Sequence, residues 1–326
     1  MKTINWGIIG CGDVTEVKSG PAFNKIKNSS LIAVMRRSAD KARDYAQRHN
    51  VSKWYSNADL LINDPDVNAI YVATPPSSHA AYTLAALNAG KSVYVEKPMS
   101  VDADSAMIMA KAAGEKKGKL VVAHYRRAQP LFNKIKQLIQ DKAIGEVRFA
   151  RIEVCKTVTE EELANPGRAW RVDTAVAGGG IFHDISPHQL DMLYYFFGEV
   201  DTASGISAAQ GNLYKADDIV AGTISFKNGV LFSGLWCFNV AAGLEKDICE
   251  IVGSEGKISF SFFEHKPIQL TRNGKTEIIS FDPLPHVQQP MIEQVVNYFL
   301  GDAPNPCPAD DGVVVMKLID TFTGQG

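Results

Sequence analysis

The stretch Gly7-Ile8-Ile9-Gly10-Cys11-Gly12-Asp13-Val14-Thr15 decides the fold. It closes an apolar run that starts at Ile4 and opens a helical pattern. Glycines at such a turn let the backbone bend tightly and come close to a pyrophosphate, which the helix N-terminus then stabilises through its unpaired N–H groups and dipole. Counted from Gly10, the third glycine of a Gly-x-Gly-x-x-Gly pattern is replaced by Thr15. A glycine-rich corner can also be a plain turn, and what favours a dinucleotide is its position in the first βα unit of the chain. Gly10, Gly12, Asp13, Val14 and Thr15 are therefore expected to contact the nucleotide.

Working outward, short apolar runs alternate with longer helical patterns. Ile4 to Ile9, Leu31 to Met35, Ala69 to Ala73, Ser92 to Val95 and Lys119 to Ala123 read as strands, with helices over Ala39 to Asn50, His79 to Ala89 and Asp102 to Lys117. That grammar predicts an α/β fold that opens with a doubly wound parallel sheet of Rossmann type. Strands buried on both faces should be apolar throughout, as Ala69-Ile70-Tyr71-Val72-Ala73 is.

The pattern changes after residue 124. A helix from Leu131 to Asp141 leads into strand-rich sequence with hairpin signals at Asn228-Gly229 and Asn273-Gly274, which predicts an open, mostly antiparallel sheet. One helical insert, Pro187 to Phe197, is ended by Gly198, and the last helices are expected over Gln288 to Leu300 and about Asp310 to Phe322. The expected domains are residues 1–124, binding the nucleotide, and residues 125–326, an α/β domain for substrate and oligomer contacts. The C-terminal helices are free to return to the first domain.

At the end of the second strand, NAD enzymes carry an acid that accepts a hydrogen bond from the adenosine ribose. Here Met35 runs into Arg36-Arg37-Ser38, with Lys41 one turn on. Guanidinium groups bind phosphate oxygens through charge-assisted donors, whereas a carboxylate would repel a 2'-phosphate. NADP is the expected cofactor, with NAD as the alternative; the plainer reading has the arginines covering a solvated helix start. Lys97 in Glu96-Lys97-Pro98 projects from the carboxyl edge of the sheet, where doubly wound folds bind ligands, and Pro98 restricts its direction.

In the second half, Gly178-Gly179-Gly180-Ile181-Phe182-His183-Asp184-Ile185-Ser186-Pro187-His188 is the most unusual segment. Three glycines in a row suggest a close approach of backbone to something else. Asp184 and His188 share a helix face if the helix begins early. Alternatively Ser186-Pro187 are N-cap and first helical residue, with His188 in the first turn. His183, offset by one position, is expected to be structural.

The totals exclude several classes. A chain of 326 residues with net charge -2 has no basic footprint for nucleic acid or an anionic membrane. Its five cysteines are scattered and unpaired in spacing, which argues against a disulfide framework and against a metal site. No run approaches a membrane span, and only Met1 to Thr3 precede the first strand, so a cytoplasmic, reducing setting is expected.

Together these segments resemble the glucose-fructose oxidoreductase, inositol dehydrogenase and MocA family. The resemblance rests on the glycine turn, Thr74-Pro75-Pro76 followed by His79, Glu96-Lys97-Pro98, Arg126-Arg127 with Pro130, Trp170-Arg171, and the triple glycine leading to Asp184 and His188. It implies a Rossmann domain followed by an open-sheet α/β domain that often makes dimer or tetramer contacts. It also implies cofactor contacts from Gly10, Gly12, Thr74, His79, Glu96, Lys97 and Trp170-Arg171, with Arg36, Arg37 and Lys41 reading the adenosine phosphate. Two positions depart from the pattern: Tyr125 stands where many members carry Asn near the nicotinamide, and Thr15 replaces a small residue. The implied activity is hydride transfer to or from a sugar or polyol, with Lys97, Asp184 and His188 catalytic. A redox-neutral NAD-dependent glycosidase, a dihydrodiol dehydrogenase and a non-catalytic nucleotide-binding regulator are the alternatives. The regulator is disfavoured by the presence of both Lys97 and His188.

Overall fold

The computed structural model describes residues 3–165 and 169–324. They form two compact units, Met1–Ala128 with Leu284–Met316, and Gln129–Pro283 with Lys317–Gly326.

In the first unit the order is β1 (Ile4–Ile9), α1 (Asp13–Val17), α2 (Gly20–Phe23), β2 (Ser29–Met35), α3 (Ala39–Arg48), β3 (Lys53–Tyr55), α4 (Ala58–Ile62), β4 (Ala69–Val72), α5 (His79–Asn88), β5 (Ser92–Val95), α6 (Ala103–Glu115) and β6 (Leu120–Val122). All pairings are parallel and the strand order is β3-β2-β1-β4-β5-β6, the doubly wound arrangement expected from the alternation. The interior strands have no polar face: every residue of β4 is buried.

The segment Leu284–Met316 belongs to this unit. Lys119 Nζ donates to the carbonyls of Tyr298 and Phe299 at 3.0 and 2.7 Å, placing a cation on the last turn of a helix at Gln289–Leu300. Phe299 meets Trp6 with ring centroids 5.5 Å apart.

The second unit contains α7 (Pro130–Gln140), β7 (Val147–Cys155), α8 (Glu160–Ala164), α9 (Thr174–Ala177), α10 (Gly180–Phe197), β8 (Val200–Ala208), β9 (Ile219–Phe226), β10 (Leu231–Cys237), β11 (Lys246–Gly253), β12 (Gly256–Phe260), β13 (Ile268–Arg272) and β14 (Lys275–Ile279). The returning helix is α11 (Gln289–Leu300), and α12 (Ala309–Thr323) is the last element among the described residues. The strand order is β14-β13-β12-β11-β7-β10-β9-β8, antiparallel except for β7 beside β10. Both hairpins signalled by Asn-Gly are present, joining β9 to β10 and β13 to β14. One face of the sheet is core: Val220, Ile224, Phe232 and Trp236 are buried, and Phe322 of α12 lies so close to Gly222 that a Cβ there would fall 2.3 Å from its ring.

The expected start of the helical insert is corrected. α10 begins at Gly180, not at Pro187, and Pro187 lies inside it. The three glycines make that early start possible. Gly180 has φ +72°, and a Cβ on it would fall 2.7 Å from that of Ala216; a Cβ on Gly179 would fall 2.2 Å from the His183 ring. The Ser186-Pro187 pair, which has the form of a cap, is buried mid-helix instead.

Candidate active site

The glycine turn joins β1 to α1. Gly10 has φ +94°, and a side chain there would meet Thr74 at 2.7 Å, so the fold itself demands glycine. Gly12 is different: its φ is -147° and a Cβ would meet nothing nearer than 3.9 Å. The fold leaves open space where Gly12 lacks a side chain, as a close-approaching ligand requires. Thr15 closes the turn, its hydroxyl accepting from Gly12 N–H at 3.0 Å and donating to Gly12 C=O at 2.8 Å. Asp13 and Val14 follow as the first two residues of α1, whose amides have no acceptor within the helix. Cys11 is buried in the same turn, and burial pushes its thiol up to about 11, keeping it protonated.

Arg36 and Arg37 leave the end of β2. Arg36 donates to the Cys11 carbonyl at 3.3 Å, beside the glycine turn, and Arg37 and Lys41 are exposed. Ser38 caps α3 by accepting from Lys41 N–H. Among the described residues, none of these three cations has a carboxylate partner, in contrast to Arg43 and Arg48 of the same helix, which pair with Asp40 and Asp44.

Across the sheet edge, Thr74 and Glu96 follow β4 and β5. His79 is buried between them, with Nε2 2.7 Å from the Thr74 carbonyl and Nδ1 2.9 Å from the Pro98 carbonyl. A neutral imidazole donates only once, and burial holds the His79 pKa below the ordinary value, so one of the two carbonyls goes without a proton. His79 thus ties the two loops together from inside. Glu96 is also buried, and its carboxylate accepts from Tyr71, Gln288 and the Lys97 amide. Lys97 is half-buried at the carboxyl end of β5 and its peptide bond to Pro98 is cis. Tyr125 begins a 3-10 turn, Tyr125–Ala128, with the Arg126 guanidinium 5.7 Å from its ring centroid.

The second unit brings Trp170, Arg171 and Asp184 together. Trp170 and Arg171 lie in a 3-10 turn at Ala169–Val172; the Arg171 guanidinium is 5.0 Å from the Trp170 ring centroid and its Nε is 3.0 Å from Asp184 Oδ2. Because α10 starts early, Asp184 and His188 are one helical turn apart on the same face. The His188 ring is buried and meets Phe263 edge-on at 5.8 Å. His183 is wholly buried, neither ring nitrogen has a hydrogen-bond partner among the described residues, and burial lowers its pKa to about 4.

Sequence reasoning missed the pairing of Arg171 with Asp184, although it named both residues. It missed Phe263 and named Gln288 only as a helix boundary, since neither lies in a motif and their partners are distant in sequence.

Residues 4–124 match a family model described as an oxidoreductase family with an NAD-binding Rossmann fold, and residues 132–259 match the GFO/IDH/MocA C-terminal domain. The chain belongs to the GFO/IDH/MocA oxidoreductases. Among relatives, Oxidoreductase P35 of Formosa agariphila is 46% identical over 321 residues, 98% of each chain. A 1,5-anhydro-D-fructose reductase of Ensifer adhaerens is 30% identical over 230 residues, covering 69% of this chain and 67% of its own. The solved structure of a levoglucosan dehydrogenase with NADH and levoglucosan superposes with a TM-score of 0.87 at 21% identity, over 99% of this chain and 97% of that one. A GFO/IDH/MocA chain of this kind is an NAD-binding oxidoreductase with sugar dehydrogenases among its relatives.

Proposed function

We propose that this oxidoreductase transfers a hydride between NADP(H) and a sugar, ketose or polyol carbon bearing a hydroxyl or carbonyl. The observation that carries the cofactor choice is the trio Arg36, Arg37 and Lys41, three cations without carboxylate partners among the described residues, at the place where an NAD enzyme keeps a ribose-binding acid. The open space at Gly12 fits a pyrophosphate beside the turn. When bound, the nicotinamide supplies or accepts the hydride.

The chain's own groups handle charge and proton. Lys97 carries the ammonium that stabilises negative charge developing on the substrate oxygen. His188 moves the proton, a task suited to a side chain whose usual pKa is near 6.5. Asp184, held by Arg171, orients substrate or imidazole. A charged pair next to a histidine favours a hydroxyl-rich substrate over an apolar one. Support for a sugar comes from the relatives' names, among them the anhydrofructose reductase. Five buried free cysteines suit a reducing cytoplasm, and no helix among the described residues is long and apolar enough to cross a membrane.

Fluorescence titration of NADPH against NADH tests the cofactor. Paired guanidinium contacts should favour NADPH by about tenfold or more, and Arg36→Ala with Arg37→Ala should abolish the difference. Equal affinity, or an NAD preference that survives both substitutions, removes this reading and revives the redox-neutral glycosidase. The substrate is sought by following nicotinamide absorbance over a panel of aldoses, ketoses, inositols, levoglucosan and anhydrofructose with each cofactor.

A further inference from the structure

Glu96 is a buried carboxylate that no ion pair among the described residues explains. It is 6% exposed, and the groups on it are neutral donors: the Tyr71 hydroxyl and Gln288 Nε2, the latter at 2.6 Å, share Oε1, and the Lys97 amide donates to Oε2 at 3.1 Å. Behind them, Tyr94 donates to Gln288 Oε1 at 3.3 Å, so Gln288 is oriented with its amide nitrogen towards Glu96. Tyr71, Tyr94 and Gln288 are at most 1% exposed, and the two tyrosine rings stack 5.2 Å apart. Burial drives both phenols well above their ordinary pKa, so they remain donors at any physiological pH.

Taking a carboxylate out of water is costly, and apolar residues of equal volume would fill this space at lower cost. The site therefore lacks a stability rationale. What the carboxylate does hold is the backbone of the next residue, Lys97. Gln288 comes from the far end of the chain, in the segment that returns to the first unit, and is fixed there by its own N–H to the Lys18 carbonyl at 3.2 Å. We propose that Tyr71 and Gln288 are positioning residues for Lys97: they fix the Glu96 carboxylate from behind, and Glu96 fixes the Lys97 amide. The consequence is that a residue 191 positions after Lys97, and outside every motif, tunes turnover by orienting that lysine. The inference rests on the role assigned to Lys97 under the proposed function.

The test uses the whole chain and near-isosteric substitutions: Tyr71→Phe, Gln288→Met and Glu96→Gln, with the first two repeated on Glu96→Gln. One readout needs no substrate. Trinitrobenzenesulfonate modification of Lys97 is followed by peptide mass spectrometry, with exposed Lys111 as the internal reference. The other is kcat and KM for the panel substrate turned over fastest. Tyr71→Phe and Gln288→Met should each change the Lys97 to Lys111 modification ratio by roughly threefold or more and lower kcat by about tenfold, because a small misplacement of a reacting group is felt in the chemical step. KM for the nucleotide should stay within about twofold. On Glu96→Gln both effects should vanish, as expected for groups acting through one carboxylate. A modification ratio that stays at the parent value in Tyr71→Phe and Gln288→Met, or effects that add in full on Glu96→Gln, overturns the proposal and leaves the functional reading standing. Parent-level turnover in Lys97→Met overturns the functional reading instead. Should Gln288→Met fail to fold, Tyr71→Phe decides alone, since it removes one oxygen and keeps the stacked ring.

Discussion

Lys97 and His188 are assigned work that exists only as charge develops and a proton moves, so removing either should act on turnover more than on cofactor binding. Lys97→Ala and His188→Ala should each lose on the order of a hundredfold in kcat, the scale of a positioned charge or acid-base group, with NADPH affinity by fluorescence close to that of the parent. Normal turnover in His188→Ala would transfer the proton step to Lys97 or to water. The glycine turn shows how far single residues can be read from sequence. Gly10 and Gly12 look equivalent in the motif, yet one is required by backbone angle and by Thr74, and the other only by the space it leaves. Thr15 looked like a defect and proves to be the residue that hydrogen-bonds the turn shut.

Helix α10 carries the main lesson at the level of elements. Ser-Pro is a strong local signal for a helix start, but here Ser186 and Pro187 are both buried inside the helix, which runs seven residues further back, from Gly180 to Phe197. The strand β3 was missed for the opposite reason, since Lys53–Tyr55 is too short to show a period. The early start of α10 buries His183 with its pKa near 4, below the ordinary 6.5. Between those values the unfolded chain binds a proton that the folded chain refuses, so stability is full above about pH 6.5, falls as pH drops, and loses nothing more from this group below about pH 4. A shift of this size corresponds to roughly 3 kcal/mol at most. Melting temperature measured from pH 7 to pH 4.5 should therefore fall less steeply for His183→Gln than for the parent, whatever the offset between the two curves. Parallel curves would show that His183 takes up its proton in the folded state without cost.

For the whole molecule, the second unit leaves one sheet face for another surface to cover. Strand register places Ile206, Ala221, Leu235, Glu153 and Ile248 in one row across β8, β9, β10, β7 and β11, with Leu231 and Phe149 adjacent in another. Among these, Ile206 is 73% exposed, Leu231 57%, Ile248 41% and Phe149 39%. Four exposed apolar side chains on one face of a broad sheet are unusual for a monomer's water-facing surface, where apolar residues are normally scattered singly. The polar row between them runs Ser204, Thr223, Ser233, Arg151 and Glu250, and its two charged members pair with each other, so the row adds no net charge to the face. A homodimer or homotetramer joined through this face should bury about 800 Å² or more per chain, the area of a stable specific contact. Light scattering after size exclusion at micromolar concentration should then give a mass of two or four chains. Phe149→Lys with Leu231→Lys places two ammonium groups in the middle of that face and should shift the mass towards a monomer without lowering the melting temperature by more than the lost association accounts for. A parent chain that runs as a monodisperse monomer would mean that these residues meet only water, and an oligomer untouched by the double lysine variant would move the contact to another surface.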